Sequence, residues 1–578
     1  MVMFIRPCYK IKNGKRHAYW ALVESYRTER GPRQRVVSYL GQLCEQERLG
    51  VKQAASGNTK QRYKQLHLFD ADNQPEPEWV EVDVANVTVE RELDFGGPWL
   101  ALQLIQKLRL DELFEQLMPE GRERIPWSKM ALVLTICRLC KPSSELYIAE
   151  HYYRSTALAD LLGIPSEKVY DKRLYRSLGK LLPHKEDIEK HLKQQLGELF
   201  ALEYDLLLYD VTSTYFEGQC LGNPMAQRGY SRDNRSDCKQ VCIGLVVSKC
   251  GMPLGYEVFE GNRHDSKTWQ EIVLTMEARY GKADRIWCGD RGMMSKDNLE
   301  FMRSGGRKYI IGASKGTLKR FEQELLKEDW KVIRDGLEVK MCESPDEDNE
   351  TFILCRSRDR SEKEKAMHQR FEDRIEEALE KLKNGCEKRK YKKETIDRRV
   401  GSIMSKNSRS AGLFKVEVIE SEGGTTISWT KDEKWRAWAD LNEGCYLLRT
   451  NVTDWSAEDL WKAYIQLTEA EAAFRIHKSD LKIRPVWHQK QDMVLAHIFV
   501  CFLAYVLWKT LHQMVVGAGL GDEPRRVFDE LGKISLVDVV LPTKKGINIR
   551  RRCVRKPTEH QDILLSRLEL KMPRQLSS

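Results

Sequence analysis

The sequence predicts an α/β fold, on three observations. Leu206-Leu207-Leu208-Tyr209 and Ile286-Trp287-Cys288-Gly289 are short, unbroken apolar runs, as expected of strands buried on both faces. Between residues 206 and 312, strand-like and helix-like periods follow the order β, β, β, α, β, α, β. The chain of 578 residues and 67.4 kDa is 41% hydrophobic and 31% charged. That is enough apolar material for large cores in roughly three to five domains, and it excludes a collagen, a disordered tail protein or a small disulfide scaffold.

The elements follow in order. Residues 1 to about 45 read as β-hairpins, with Tyr19 to Ser25 and Arg35 to Tyr39 strand-like around a turn at Gly31 and Pro32. A polar, Gln-rich connector and a short strand at Trp79 to Val89 come next. From Gly97 to about Leu199 the spacing is helical, with a helix start at Ser143-Ser144-Glu145 and breaks at Pro165 and Pro183. Leu206 to Tyr209 opens the α/β region, and Val241 to Ser248 with Pro253 to Phe259 form a hairpin. Helix Trp269 to Tyr280, strand Arg285 to Gly289, helix Lys296 to Arg303 and strand Lys308 to Gly312 complete it. A long charged helix at 361–383, flanked by β-like pieces, marks an insertion. Strand Cys445 to Arg449, a helix at 457–478 and an apolar helix at 493–515 follow. The expected domains are 1–90 (β-rich), 91–200 (helical, DNA-binding), 201–315 and 446–520 (the two parts of one core), 316–445 (inserted β-rich and helical module) and 521–578 (basic segment).

Lys plus Arg is 96 and Asp plus Glu is 86, so the net charge is 96 − 86 = +10, which permits a nucleic-acid partner without demanding one. The 15 cysteines form no repeating frame, and the N-terminus carries charge early with no apolar signal region. The reading is a soluble cytoplasmic protein with reduced thiols. The run Met493 to Trp508 is shorter than the roughly 20 residues of a membrane span and reads as a core helix. Cys137-x-x-Cys140 lacks a second ligand pair and reads as buried helical thiols.

Asp210 and Asp290 directly follow the two apolar runs. A buried unpaired carboxylate is costly, so each needs a cation, donors or a metal. Ligands of open α/β sheets bind outside the carboxyl ends of the strands, where neighbouring strands would bring the two acids together. The local alternative pairs Asp210 with Thr212 or Ser213 and Asp290 with Arg291. On helix 457–478, Tyr464, Glu471, Arg475 and Lys478 fall within about 60° of one another at about 100° per residue, whereas Glu469 points about 160° away from Glu471. A surface stripe with a Glu471–Arg475 pair is the alternative there. Three carboxylates can hold two Mg²⁺ ions about 3.5–4 Å apart, with Mn²⁺ as substitute, and the neighbouring cations would meet a phosphate.

These segments resemble the DDE transposases of bacterial insertion sequences, in particular the group with a Y-(2)-R-(3)-E-(6)-K signature and a β-rich insertion before the Glu. The signature here is Tyr464, Leu467, Glu471 and Lys478, with leucine in place of arginine and Arg475 on the same face two turns on. Tyr209-Asp210-Val211-Thr212-Ser213-Thr214-Tyr215, Gly289-Asp290-Arg291-Gly292-Met293 and Arg484-Pro485-Val486-Trp487-His488 are similar to the same group. The resemblance implies an RNase H-like core in which Asp210, Asp290 and Glu471 bind metal and Tyr464 and Lys478 contact DNA phosphates. It further implies a transposase acting on double-stranded DNA, at the element's terminal inverted repeats and a target, as a dimer or larger multimer. A nuclease that only cleaves, or a silent DNA-binding derivative, are the rival readings. His264 and Asp265, after the second strand of the hairpin, read as a polar turn or as the mouth of the site, and Trp487 and His488 as a core pair or a stacking surface for a displaced base. The basic run Lys381 to Lys393 reads equally as a solvated helix end or as a stretch that tracks a DNA backbone, and Lys544 to Lys556 reads more strongly as DNA-tracking because it contains no acid.

Overall fold

The computed structural model describes residues 2–12, 15–28, 31–41, 80–347, 349–421, 424–544, 546–574 and 576. The Gln-rich connector, and Trp79 at the start of the expected short strand, lie outside the described residues. The N-terminal hairpins form a three-stranded antiparallel sheet of β1 (Val2–Lys12), β2 (Lys15–Thr28) and β3 (Gly31–Gly41). The expected strand near residue 80 begins later, as β4 (Thr88–Asp94).

The main sheet holds nine strands. In chain order these are β5 (Leu206–Tyr215), β6 (Gln240–Ser248), β7 (Pro253–Glu260), β8 (Ile286–Gly289), β9 (Lys308–Gly312), β10 (Lys331–Arg334), β11 (Leu337–Glu343), β12 (Thr351–Ser357) and β15 (Cys445–Thr450). Their spatial order is β10-β11-β12-β15-β9-β8-β5-β6-β7. Strands β5, β8 and β9 run parallel, while β6 and β7 form an antiparallel hairpin at the edge. The order β7-β6-β5-β8-β9, with those directions, is an RNase H-like core.

Strand alternation assigns the two faces. Leu207, Tyr209 and Val211 join Trp269, Ile272 and Met276 of helix Asp265–Tyr280 in one buried cluster. Leu206 and Leu208 join the cluster holding Ala470, Ala473 and Phe474 of helix Leu467–Ser479 and most of helix Gln491–Gly517. The latter is the one described helix long and apolar enough to cross a membrane, and 94% of its most apolar window is buried inside the fold. Cys137 and Cys140 lie on helix Trp127–Cys140, where burial pushes the Cys140 thiol up to about 12.

Three expectations change. Strands β10, β11 and β12, assigned to the inserted module 316–445, extend the main sheet through β15, which pairs antiparallel with β9. The edge of β9 would otherwise present unpaired backbone groups. The rest of that segment packs on its own: helix Arg358–Lys388 carries Ile375, Leu379 and Leu382 against Ile427 and Phe414 of the hairpin β13 (Phe414–Ser421) and β14 (Gly424–Lys431).

Second, the basic segment 521–578 is a structured element. β16 (Ser535–Pro542) sits between β17 (Asn548–Val554) and β4. Three of its cations are answered internally: Lys544 pairs with Glu81 at 3.1 Å, Arg550 with Glu90 at 2.6 Å, and Arg552 with Asp538 and Asp160. A stretch without acids of its own is thus partly answered by acids elsewhere in the chain.

Third, the single helix at 457–478 is two helices, Ala457–Ile465 and Leu467–Ser479, joined at Gln466. Leu467 is buried in the core, which gives a packing reason for leucine at that position.

Candidate active site

The parallel register places Tyr209 beside Gly289, so Asp210 and Asp290 are neighbours one step further along adjacent strands. β8 stops at Gly289, but β5 continues to Tyr215, because Val211 to Tyr215 keep pairing with β6. Asp210 therefore lies within a strand rather than at its end. By alternation it occupies the face covered by helix 467–479, which carries Glu471. Ala470 and Phe474 pack into the core, while Glu471 and Arg475 are exposed, and the Glu471 charge is close enough to act on Asp210. Glu471 and Arg475 form no ion pair with each other among the described residues, so the surface-pair alternative finds no support.

Local pairings do not account for the aspartates either. One Asp210 oxygen accepts from the Val211 N–H at 2.8 Å, and one Asp290 oxygen accepts from the Gly292 N–H at 2.8 Å. Among the described residues, neither carboxylate forms an ion pair. Burial pushes Asp210 up to about 7, and the charges of Asp290 and Glu471 push in the same direction, with Arg232 opposing. Asp290 is also raised, first by burial and then by the nearby Asp265. These groups hold negative charge reluctantly without a cation. An all-oxygen donor set suits a hard divalent ion, so the residues fit Mg²⁺ or Mn²⁺.

Arg232 was not singled out from sequence, and Asp265 was. Arg232, in the 216–239 connection between β5 and β6, pairs with Asp265, and its backbone N–H donates to Ser213 Oγ at 3.3 Å. An oxygen of Asp265 lies 3.5 Å from the place a Gly292 Cβ would occupy, beside the Asp290 carboxylate at 3.1 Å from that point. Asp265 therefore borders the site instead of merely closing a polar turn. The sequence signal was weak: Ser231-Arg232-Asp233 sits in a polar connection with no period.

The other expected site residues divide. Lys478 Nζ donates to Asp233 Oδ1 at 2.8 Å, and Arg484 pairs with the same oxygen. The Asp233 side chain is 2% exposed, so its charge requires those cations, and the Lys478 charge is spent on holding the 216–239 connection. Lys478→Met is expected to destabilise the protein by about 1–3 kcal/mol in urea unfolding, less than a fully orphaned buried charge because Arg484 remains, with Lys478→Arg restoring most of it. Unchanged stability with weakened DNA binding would instead return Lys478 to a phosphate contact. Tyr464, on the first of the two helices, faces a cavity beside Gly312 and Arg291. Glu469 pairs with the buried Lys509 at 3.4 Å, on the side away from the aspartates. Trp487 is 68% exposed, not a core residue, whereas His488 is mostly buried near Glu145.

Away from the aspartates, Glu145, His488 and His497 are the one set of three acidic, histidine or cysteine side chains among the described residues whose ligand atoms all lie within 4.8 Å of one another. Both His497 nitrogens are occupied: Arg138 approaches Nδ1 at 3.4 Å and Nε2 lies 3.3 Å from the Ile483 carbonyl. Burial, with the Arg138 charge beside it, lowers His497 to about 3 and keeps the ring neutral. An Nε2–H donating to the carbonyl and an Nδ1 accepting from arginine satisfy this ring, so the group reads as a polar network joining the helical module to the core.

This arrangement defines a class: an RNase H-like phosphodiester enzyme with a carboxylate centre. Residues 201–507 match the family described as transposase DDE domain, and the chain belongs to that family. Residues 6–70 match the IS1634 family transposase N-terminal domain, so the enzyme is, more particularly, a DDE transposase of an insertion sequence. Divalent-metal dependence comes with the DDE domain. No curated protein matches the chain. Among solved structures it is similar to a piggyBac transposase synaptic complex with hairpin DNA, at 9% identity over 79% of this chain and 82% of that one. The TM-score is 0.35, too low to place individual elements.

Proposed function

We propose that this transposase binds the terminal inverted repeats of its element, cleaves their 3′ ends and joins them to target DNA, with Asp210, Asp290 and Glu471 as the catalytic carboxylates. The observation that carries the reading is the register that sets Asp210 beside Asp290 under the helix bearing Glu471. These three residues would hold the divalent ions, Mg²⁺ with Mn²⁺ as substitute. When bound, the ions supply Lewis-acid stabilisation and a lowered pKa for the attacking hydroxyl.

In the first step, water forms a new P–O bond and the P–O3′ bond breaks, leaving a 3′-hydroxyl. In the second, that hydroxyl forms a P–O bond with a target phosphate and the target's own 3′ oxygen leaves. Bonds of equal kind are exchanged in the second step, so no nucleotide cofactor is required. Arg475, exposed on the same helix face as Glu471, would contact a phosphate, and Tyr464 would line the strand's path. The β-rich residues 1–90 and helical residues 91–200 are proposed as readers of the end sequence, and a dimer or larger multimer would pair two ends on double-stranded DNA. Purified protein, end duplex, Mg²⁺ and a target plasmid test this. End-specific nicks plus joined products are expected. Cleavage that never yields joined products would favour a simple nuclease, and binding without metal-dependent cleavage a silent derivative.

A further inference from the structure

Beside the carboxylate centre lies a cavity of about 370 Å³, within the range of about 300–1,000 Å³ common for small-ligand pockets. It opens between the ends of β8 and β9 and the strands that extend the sheet. Four cations line it: Arg291, directly after Asp290, Lys315, after β9, Arg334 at the end of β10, and Arg360 at the start of helix 358–388. One carboxylate answers two of them. Glu364 pairs with Lys315 at 2.7 Å and with Arg360 at 3.4 Å. Arg291 and Arg334 have no carboxylate partner among the described residues, so two of the four cations lining the cavity are unanswered.

The wall is aromatic and braced. Arg334 lies over the Trp461 ring at 5.4 Å, Arg360 over the Tyr446 ring at 4.8 Å, and Trp461 Nε1 donates to Tyr446 Oη at 2.7 Å. The floor needs glycine. A Cβ on Gly312 would lie 2.5 Å from Tyr464 Oη and 3.1 Å from the Arg291 backbone nitrogen. The missing side chain leaves a cradle bounded by one hydroxyl and one backbone nitrogen. Guanidinium forks and hydroxyl donors around an uncompensated positive cavity match a phosphate.

We propose that this cavity seats a backbone phosphate of the DNA strand engaged at the carboxylate centre, with Arg334 and Arg360 bringing the inserted segment onto that strand. The inference rests on the DNA-cleaving reading above. It gives the insertion a function: its strands lengthen the sheet and its arginines complete an anion seat that the core begins with Arg291 and Tyr464.

The test measures end-duplex affinity by fluorescence anisotropy in EDTA across a range of KCl, for wild type, Arg334→Ala, Arg334→Lys and Arg360→Ala. Arg334 and Arg360 are exposed, so these variants are expected to fold. Arg334→Ala is expected to weaken binding about tenfold. The slope of log affinity against log salt should fall by about 0.9, equally for end and unrelated duplexes, since a phosphate contact reads no base. Arg334→Lys should recover most of the slope. A wild type that cleaves ends normally while every variant keeps its slope and affinity would overturn the seat alone. A wild type that neither binds nor cleaves end duplex would overturn the DNA reading and the seat together. If inorganic phosphate raises the melting temperature of wild type but not of Arg334→Ala, while DNA affinity is unaltered, the cavity holds a free anion and the DNA assignment falls.

Discussion

Asp290→Asn, Asp210→Asn and Glu471→Gln are each expected to slow end nicking and strand transfer by about 10³-fold or more, equivalent to about 4 kcal/mol of lost transition-state stabilisation. Each amide keeps the shape of its carboxylate but removes the charge that would hold a hard cation. End binding in EDTA should change by no more than a few fold. The contrast with Glu469 is the control. Glu469 neutralises Lys509, whose side chain is 5% exposed, on the opposite side of the same helix. Glu469→Gln should therefore cost about 1–3 kcal/mol of stability and leave the rate of nicking per folded molecule unchanged. Equal losses of rate in Glu469→Gln and Glu471→Gln would mean that this helix supports the fold and contributes no ligand. Gel-resolved cleavage of labelled end duplex, alongside urea unfolding, separates the two.

Thermal stability should respond to metal most strongly above neutral pH. An unfolded Asp210 loses its proton near 3.8, whereas the folded carboxyl holds it to about 7. Between those values the folded state binds the extra proton, so the stability associated with this group is full at low pH and lost as pH rises through about 7. A divalent cation takes the proton's place. Mn²⁺ should thus raise the melting temperature more at pH 8 than at pH 5.5, by about 1 °C per kcal/mol of linkage for a chain of this length. Asp210→Asn should melt higher than wild type at pH 8 without metal, because a strained buried charge is gone, and should lose most of the Mn²⁺ response. An equal Mn²⁺ shift in wild type and Asp210→Asn at both pH values would place the ion elsewhere.

The sequence made the core strands legible because buried parallel strands are unbroken apolar runs, and an acid directly after such a run stands out. Leu206 to Tyr209 with Asp210, and Ile286 to Gly289 with Asp290, are of this kind. The hairpin β6–β7 and the short strand β9 were equally plain. Glu471 needed the signature spacing, since an exposed glutamate on an amphipathic helix has no local mark. What stayed hidden depends on partners distant in the chain. The break at Gln466 arises where Leu467 enters a core built from other segments. The role of Lys478 depends on Asp233, 245 residues away. Three cations of the basic stretch 544–556, Lys544, Arg550 and Arg552, are answered by Glu81, Glu90, Asp160 and Asp538, and only the last is near in sequence. Charge counted along a segment says little about the field it presents once folded.

Iron(II) can occupy a Mg²⁺ site, and with ascorbate and peroxide it cuts polypeptide close to where it is held. Mapping the cuts in this chain by mass spectrometry locates the metal without relying on turnover. Fragments ending near residues 210, 290 and 471 together, suppressed by excess Mg²⁺ and lost in Asp290→Asn, are the expected result. Cuts clustered near residues 145, 488 and 497 would contradict it and move the metal centre to the glutamate–histidine group.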